Sequence, residues 1–291
     1  MHIIKVPIFK LALGATGRDT MSFTRAGLRV NVSSLSQPYH RPVLSAFASQ
    51  VQSRLSVLSA NMSSQASIIQ ELHKYSACDI ADALLKLEPK GSAPLAGFLA
   101  DIAGQVPAAK EQKIIAPAFT VLFHSKLDSA SNNDVASNIP KGKQWSDLIT
   151  EGTIVVVRQP DGQRCASVGG HHAARIAHLG AKGLLVSGRI RDQADMAELG
   201  LSIWSRGTSI VGAGAESKPQ ATQVPIEIDG VTIEPGDLIF CDPAEGAVRI
   251  PKDFVDKVAD FLPKHSEQED NVKEMIAKGH SVQEAFEKCR G

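Results

Sequence analysis

Several common signatures are missing from this chain. Its four cysteines, Cys78, Cys165, Cys241 and Cys289, stand far apart, without CxxC spacing. That argues against a disulfide-stapled secreted scaffold, and reduced thiols in an intracellular compartment are expected. Charge of one sign is missing too: Lys+Arg and Asp+Glu are 31 each. With no net charge to attract polyanions, neither nucleic acid nor a membrane surface is the expected partner, and a small molecule is. No stretch approaches the roughly 20 uninterrupted apolar residues of a spanning helix. There is no HExxH zinc-protease motif and no GxGxxG dinucleotide fingerprint.

The 291 residues, 43% of them hydrophobic and 21% charged, can bury a sizeable core in one large domain or two small ones. Residues 1–61 differ from the rest. Their basic residues are Lys5, Lys10, Arg18, Arg25, Arg29, Arg41 and Arg54, Asp19 is the single acid, and serine recurs. This is a transit-peptide-like profile; the competing reading is an upstream extension, with Met62 as the natural start. The expected location is mitochondrial or cytoplasmic accordingly.

Beyond Met62, apolar spacing predicts one or two helices ending before Pro89-Lys90-Gly91. "IIAPAFTVLF" (114–123) and "GTIVVVRQ" (152–159) read as strands, with a long polar loop between them and a shorter strand candidate at "RCASV" (164–168). "HHAARIAHLGA" reads as a helix, "GLLVS" as a buried strand, "LSIWSRGTS" as another, and 224–251 as a β-meander turning at Asp229-Gly230, Pro235-Gly236 and Glu245-Gly246. The last stretch, 252–291, is a C-terminal helical extension broken by Pro263.

The segment "GGHHAARIAHLGAKGLLVSGRIRD" (169–192) is the one that could carry chemistry. A glycine pair at a helix start lets a ligand approach the backbone. The first amides of that helix, around His171 and His172, have no intrahelical partners and favour an anion. "GRIRD" falls at the carboxyl end of the following strand, the usual place for ligands in parallel sheets. Arg191 could grip a carboxylate in bidentate fashion, and Asp192 could hold a hard cation. The alternative stays open that Arg191-Asp192 is a solvated strand-end pair. Side chains of adjacent helical residues diverge by about 100°, so His171 and His172 are poor joint metal ligands. Cys165 reads as a small buried hydrophobe.

"VGGHHAARIAHLGAKGLLVSGRIRDQAD" resembles the core motif of the RraA-like family, which includes 4-hydroxy-4-methyl-2-oxoglutarate aldolases and oxaloacetate decarboxylases. "CDIADAL", "IAPAFTV", "SRGTS" and "VPIEIDGVTIEPGDLIFCDPAEGAVRIP" resemble its flanking elements. The resemblance implies an α/β fold, a layered α/β sandwich in one compact domain over 62–251, assembled as a homotrimer or homohexamer with sites between subunits. It implies Mg²⁺ or Mn²⁺ held by Asp192. Arg191 would bind the carboxylate of a 2-oxo acid, and backbone amides near Gly169, Gly170, His171 and His172 would hold its other end. The implied activity is metal-dependent carbon–carbon cleavage that releases pyruvate.

The family's aldolases carry Asp, twenty residues, then Arg-Asp, whereas Gly170 stands at that position here, and Ser187 stands where an Asp is common. Asp195 does match the acid three residues after the pair. The missing base turns the expectation toward oxaloacetate decarboxylation rather than aldol cleavage, with a catalytically weak RraA-type protein-binding regulator as the alternative. Glu245 and Glu227 are candidates, by type alone, for a carboxylate reaching a neighbouring subunit's site.

Overall fold

Ile154–Arg158 (β6) and Gly183–Ile190 (β7) are runs of apolar, β-branched residues with almost no polar alternation, as strands buried on both faces require. The computed structural model describes residues 65–87, 96–126 and 135–290, together with two short strands near the N-terminus. The chain divides into two units, Met1–Ser64 and Gln65–Gly291. In the first, Thr20–Ser22 (β1) pairs antiparallel with Arg29–Asn31 (β2). The rest of residues 1–61, and Met62, the alternative start, lie outside the described residues.

In the second unit, residues 65–72 are helical (α1), followed by Ala77–Leu87 (α2), Phe98–Leu99 (β3), Ala103–Gly104 (β4), Pro107–Glu111 (α3) and Ile114–Ser125 (β5). After β6 come Gly170–His178 (α4), β7, Gln193–Ala197 (α5), Ser202–Thr208 (β8) and Ser217–Thr222 (β9). The chain ends with Ile226–Ile228 (β10), Val231–Ile233 (β11), Leu238–Asp242 (β12), Gly246–Ile250 (β13), Val255–Ala277 (α6) and Val282–Arg290 (α7). Nine strands form one mixed sheet in the order β3-β13-β12-β5-β6-β7-β8-β4, with β9 also on β5. β5 through β8 are parallel, and the outer pairings are antiparallel. The twelve-residue β5 joins the two parts: its first half pairs with β12, its second with β6 and β9.

The core has two parts. One packs α2 and α6 onto β12 and β13 through Ile80, Leu84, Phe240, Ile250, Val258 and Leu262. The other surrounds the parallel strands and includes Phe119, Val156, Ile176, Leu185 and Trp204. α2 begins with a reciprocal cap, in which Asp79 N–H donates to Ser76 Oγ and Ser76 N–H donates to Asp79 Oδ2.

The mixed α/β fold matches the expectation, and three local features differ from it. Residues 164–168 form no named strand, only isolated bridges from Ala166 to Gly212 and Val168 to Ile190. The second half of this stretch keeps backbone bonds, Ala166 N–H to the Val211 carbonyl and Ser167 N–H to the Arg189 carbonyl, while side chains serve its first half: Glu216 accepts the amides of Arg164 and Cys165, and Gln159 Nε2 donates to the Cys165 carbonyl. The meander is divided, since β10 and β11 form their own hairpin while β12 and β13 join the main sheet. Pro263 does not break α6, which runs on to Ala277. Pro263 is exposed, and Val258, Leu262 and His265 hold the opposite face of the helix in the interior.

Candidate functional site

α4 starts at the glycine pair as expected, with Gly169 at its N-cap in an extended conformation. Ala173 and Ile176 face the interior, and Arg175 at the C-terminal end reaches Asp147 at 2.8 Å. β7 brings the chain back so that Arg191 and Asp192 lie against the helix start. Asp192 has φ 63° and ψ 43°, the left-handed region, unusual for a residue with a side chain. Its carbonyl accepts the Met196 amide in the first turn of α5, yet its carboxylate makes no bond to that helix. Instead Asp192 Oδ2 accepts the Gly170 amide at 2.9 Å. One of the amides expected to meet a substrate is therefore already occupied by Asp192. Those of His171 and His172 are left without a hydrogen-bond acceptor among the described residues.

The Arg191 guanidinium lies between two stretches of bare backbone. A Cβ on Gly169 would come within 2.9 Å of Asp192 Oδ2 and 3.0 Å of Arg191 Nε, and one on Gly212 within 3.0 Å of Arg191 Nη1. Glycine at both positions is what lets the side chain lie there. Its nearest acid is Asp192, at 3.5 Å from Nε, and no described protein acceptor hydrogen-bonds the guanidinium. Buried Gln159 fixes the strand end behind it, its Oε1 accepting the Arg189 amide while its Nε2 holds Cys165 O.

These residues line one side of a cleft of roughly 210 Å³. Gly169, Gly170, His171, His172, Arg191 and Asp192 all border it, so the residues nominated from the 169–192 segment are brought together. The further lining residues Phe123, Gln144, Trp145 and Pro219 were not anticipated. Trp145 is 1% exposed, meets Phe123 edge-on at 5.7 Å and packs against the His172 ring at 5.0 Å. His172 Nδ1 lies 2.9 Å from Ser146 Oγ. Burial, reinforced by neighbouring His171, pushes the His172 imidazole below its ordinary pKa, with Asp147 opposing. A lone Trp in the polar run "KGKQWSDL" was the available sequence signal for this wall.

As a cation site, the cleft offers hard oxygen but little of it. Among the described residues no cluster of three or more His, Cys, Asp or Glu side chains is placed to chelate an ion. The half-exposed Asp192 carboxylate has one oxygen engaged by Gly170, and Asp195 Oδ2 lies 3.4 Å from where a Gly170 Cβ would sit. A donor set this sparse suits Mg²⁺ or Mn²⁺, which keep several waters and take one or two carboxylates. Neither Glu227, on the β10 hairpin, nor Glu245, whose carboxylate accepts from Cys78 Sγ at 3.1 Å, borders the cleft. That contact, with burial, raises the Cys78 thiol to about 11.

The family profile described as Aldolase/RraA matches residues 77–248, over half the chain. The chain belongs to the RraA-like family. Protein DlpA of Legionella pneumophila is 27% identical over 226 residues, covering 76% of this chain and 33% of DlpA. A Halalkalibacterium halodurans protein provisionally named 4-hydroxy-4-methyl-2-oxoglutarate aldolase is 33% identical over 136 residues, covering 46% of this chain and 57% of that one. This RraA-like chain thus spans a third of the first relative and just over half of the second. Among solved structures, Streptomyces coelicolor RraAS2, described as an unusual member of the RNase ES inhibitor RraA family, aligns with TM-score 0.58 at 26% identity. That alignment covers 70% of this chain and 95% of RraAS2.

Proposed function

We propose that this RraA-like protein is a divalent-metal-dependent lyase that breaks a carbon–carbon bond of a 2-oxo acid and releases pyruvate, with oxaloacetate decarboxylation the favoured reaction. The observation that carries the reading is the Arg191 guanidinium, without a protein acceptor, laid between glycine backbones beside Asp192 at the start of α4. A planar fork that hydrogen-bonds no described protein acceptor, with Asp192 as its ion-pair neighbour, suits a carboxylate, bound bidentately. The free amides of His171 and His172, at the positive end of α4, would hold the other end of the substrate. Mg²⁺ or Mn²⁺ at Asp192 would act there as a Lewis acid, stabilising charge on the pyruvate enolate. Gly170 supplies no base, which disfavours reactions that begin by deprotonating a hydroxyl and favours loss of CO₂.

A homotrimer or homohexamer with sites between subunits belongs to this reading. Ile210 is 96% exposed and Val211 47%, both in the loop that leads to Gly212 beside Arg191. An apolar pair left in water at the rim of a cleft is a natural contact for a second subunit.

The second reading is an RraA-type protein-binding regulator with little catalysis. It is favoured by the absence of acids at Gly170 and Ser187 and by the likeness to RraAS2. One assay separates the two: pyruvate release from oxaloacetate, with and without Mn²⁺, by the full chain and Asp192→Ala. Mn²⁺-dependent release that collapses in the variant supports the lyase. Release that is unchanged in the variant removes Asp192 from the reaction. No release at all, with a stable protein partner in a pull-down, favours the regulator.

A further inference from the structure

Aldol cleavage poses a proton problem that decarboxylation shares only in its last step, protonation of the enolate. The hydroxyl on C4 must lose its proton as the C3–C4 bond breaks, and C3 of the released enolate must gain one. Gly170 has no side chain to do either. Four titratable side chains border the cleft: His171, His172, Arg191 and Asp192. Arg191 is a permanent cation with no proton-accepting atom. Asp192 already accepts the Gly170 amide and, in the lyase reading, is assigned to the cation. The exposed His171 ring has no fixed partner among the described residues.

His172 differs from all three. Its ring is half-buried, packed on Trp145 and tied through Nδ1 to Ser146 Oγ at 2.9 Å. Ser146 is itself 2% exposed, and this is the only hydrogen bond of its hydroxyl among the described residues. A buried hydroxyl with a single side-chain partner orients that partner. The Ser146–His172 contact is compatible with either tautomer; a base role requires the one in which Nδ1–H donates to Ser146 Oγ and Nε2 carries the lone pair, and no described protein group hydrogen-bonds Nε2.

We propose that His172, oriented by Ser146 and Trp145, is the general base and acid of this site, standing in for the carboxylate that Gly170 lacks in the aldol cleavage the family is named for. The proposal rests on the lyase reading above. Nε2 takes the C4 hydroxyl proton, and the O–H electron pair becomes the new C=O bond as C3–C4 breaks. The C3–C4 pair passes into the pyruvate enolate, and the imidazolium returns the same proton to C3. Neutral His172 is restored, no oxidant or reductant is consumed, and 4-hydroxy-4-methyl-2-oxoglutarate yields two pyruvates. Burial, which keeps the ring neutral at neutral pH, suits the first step. The charges that face the ring are His171 on its own helix and Asp147 on the turn carrying Trp145, the latter paired with Arg175.

The test uses the full chain with Mg²⁺ and three readouts: cleavage of 4-hydroxy-4-methyl-2-oxoglutarate, exchange of pyruvate methyl protons with D₂O by NMR, and oxaloacetate decarboxylation. His172→Phe keeps a ring on Trp145 and removes both nitrogens. Cleavage and exchange should fall by about 10² to 10⁴, mostly in kcat, with decarboxylation falling less than about tenfold. In the native protein the acid limb of cleavage should lie below the usual histidine range. Ser146→Ala should slow cleavage about tenfold and move that limb, and it decides the matter if the Phe variant misfolds. Cleavage and exchange at native rates in His172→Phe, or an unaltered rate and pH profile in Ser146→Ala, would overturn the role of His172 while native turnover leaves the lyase standing. A native protein inactive on both substrates with Mg²⁺ or Mn²⁺ overturns the lyase reading and this role together.

Discussion

The two walls of the cleft hold their residues by different means. The charged wall is one continuous stretch, Gly169 to Asp192, in which a helix start and a strand end meet. Its Arg191 and Asp192 side chains are 41% and 38% exposed, and they are positioned by backbone: two close glycines, the positive φ at Asp192 and the Gly170 amide. The aromatic wall gathers Phe123 from β5, Trp145 from a 3-10 turn and Pro219 from β9, and Phe123 and Trp145 are 2% and 1% exposed. Its shape is a consequence of core packing. Changes on the charged wall should therefore alter chemistry and leave the fold, whereas changes on the aromatic wall should reach the fold first.

The largest effect is expected from Trp145→Ala. It removes a fully buried indole packed on Phe123 and His172, and should cost about 3–5 kcal/mol of stability, read from the urea unfolding midpoint. A loss below about 1 kcal/mol would mean that this wall is not part of the core, and the contrast would collapse. Asp192→Ala is the counterpart. It should reduce Mn²⁺-dependent pyruvate release about 10²- to 10³-fold, as removal of a centre that stabilises developing charge typically does. Its unfolding midpoint should stay close to native, because the side chain is half-exposed and makes one backbone bond. Unfolding of this variant under native conditions would show that Asp192 is there for the fold.

The same contrast explains what the sequence revealed. Gly169-Gly170, His171-His172 and Arg191-Asp192 were legible because one helix and one strand fix their separation, and helical and strand periods are local. The parallel strands were legible for the same reason, as runs such as "IVVV". The aromatic wall was not, because Phe123, Trp145 and Pro219 meet only through the pairing of β5 with β9 and the placing of a loop turn, which no periodicity encodes. Pro263 and "RCASV" failed for a related reason. Tertiary packing carried α6 through a proline, and at Arg164 and Cys165 the side chains of Glu216 and Gln159 take up backbone groups that local composition had assigned to a strand.

A smaller effect separates the two glycines of the charged wall. A methyl at Gly169 meets Asp192 Oδ2 and Arg191 Nε at 2.9 and 3.0 Å, whereas at Gly170 the nearest atoms are 3.3 to 3.5 Å away. Both crowding atoms at Gly169 belong to side chains that can swing outward, so Gly169→Ala should fold and should raise KM about tenfold, in line with one displaced charged hydrogen bond. Gly170→Ala should change KM far less. Equal KM values in the two variants would mean that Arg191 is not held by the close approach of Gly169.

The smallest effect is a pH dependence at the point where the two walls meet, His172 against Trp145. Burial lowers the pKa of His172 in the folded protein, while in the unfolded chain it returns to about 6.5. Between the lowered value and the ordinary one the unfolded chain binds the extra proton, so stability rises with pH across that interval. The contribution is complete above about pH 6.5 and is lost as pH falls through the folded value. Urea midpoints of the native protein and His172→Phe, compared from pH 5 to 8, should diverge in slope only in the acidic part, with the Phe variant flatter. Asp147 opposes the shift, so Asp147→Asn should steepen the native slope by deepening the depression at His172. Parallel curves for the native protein and His172→Phe would show that the imidazole is solvated rather than packed, and the two walls would then be energetically separate at Trp145.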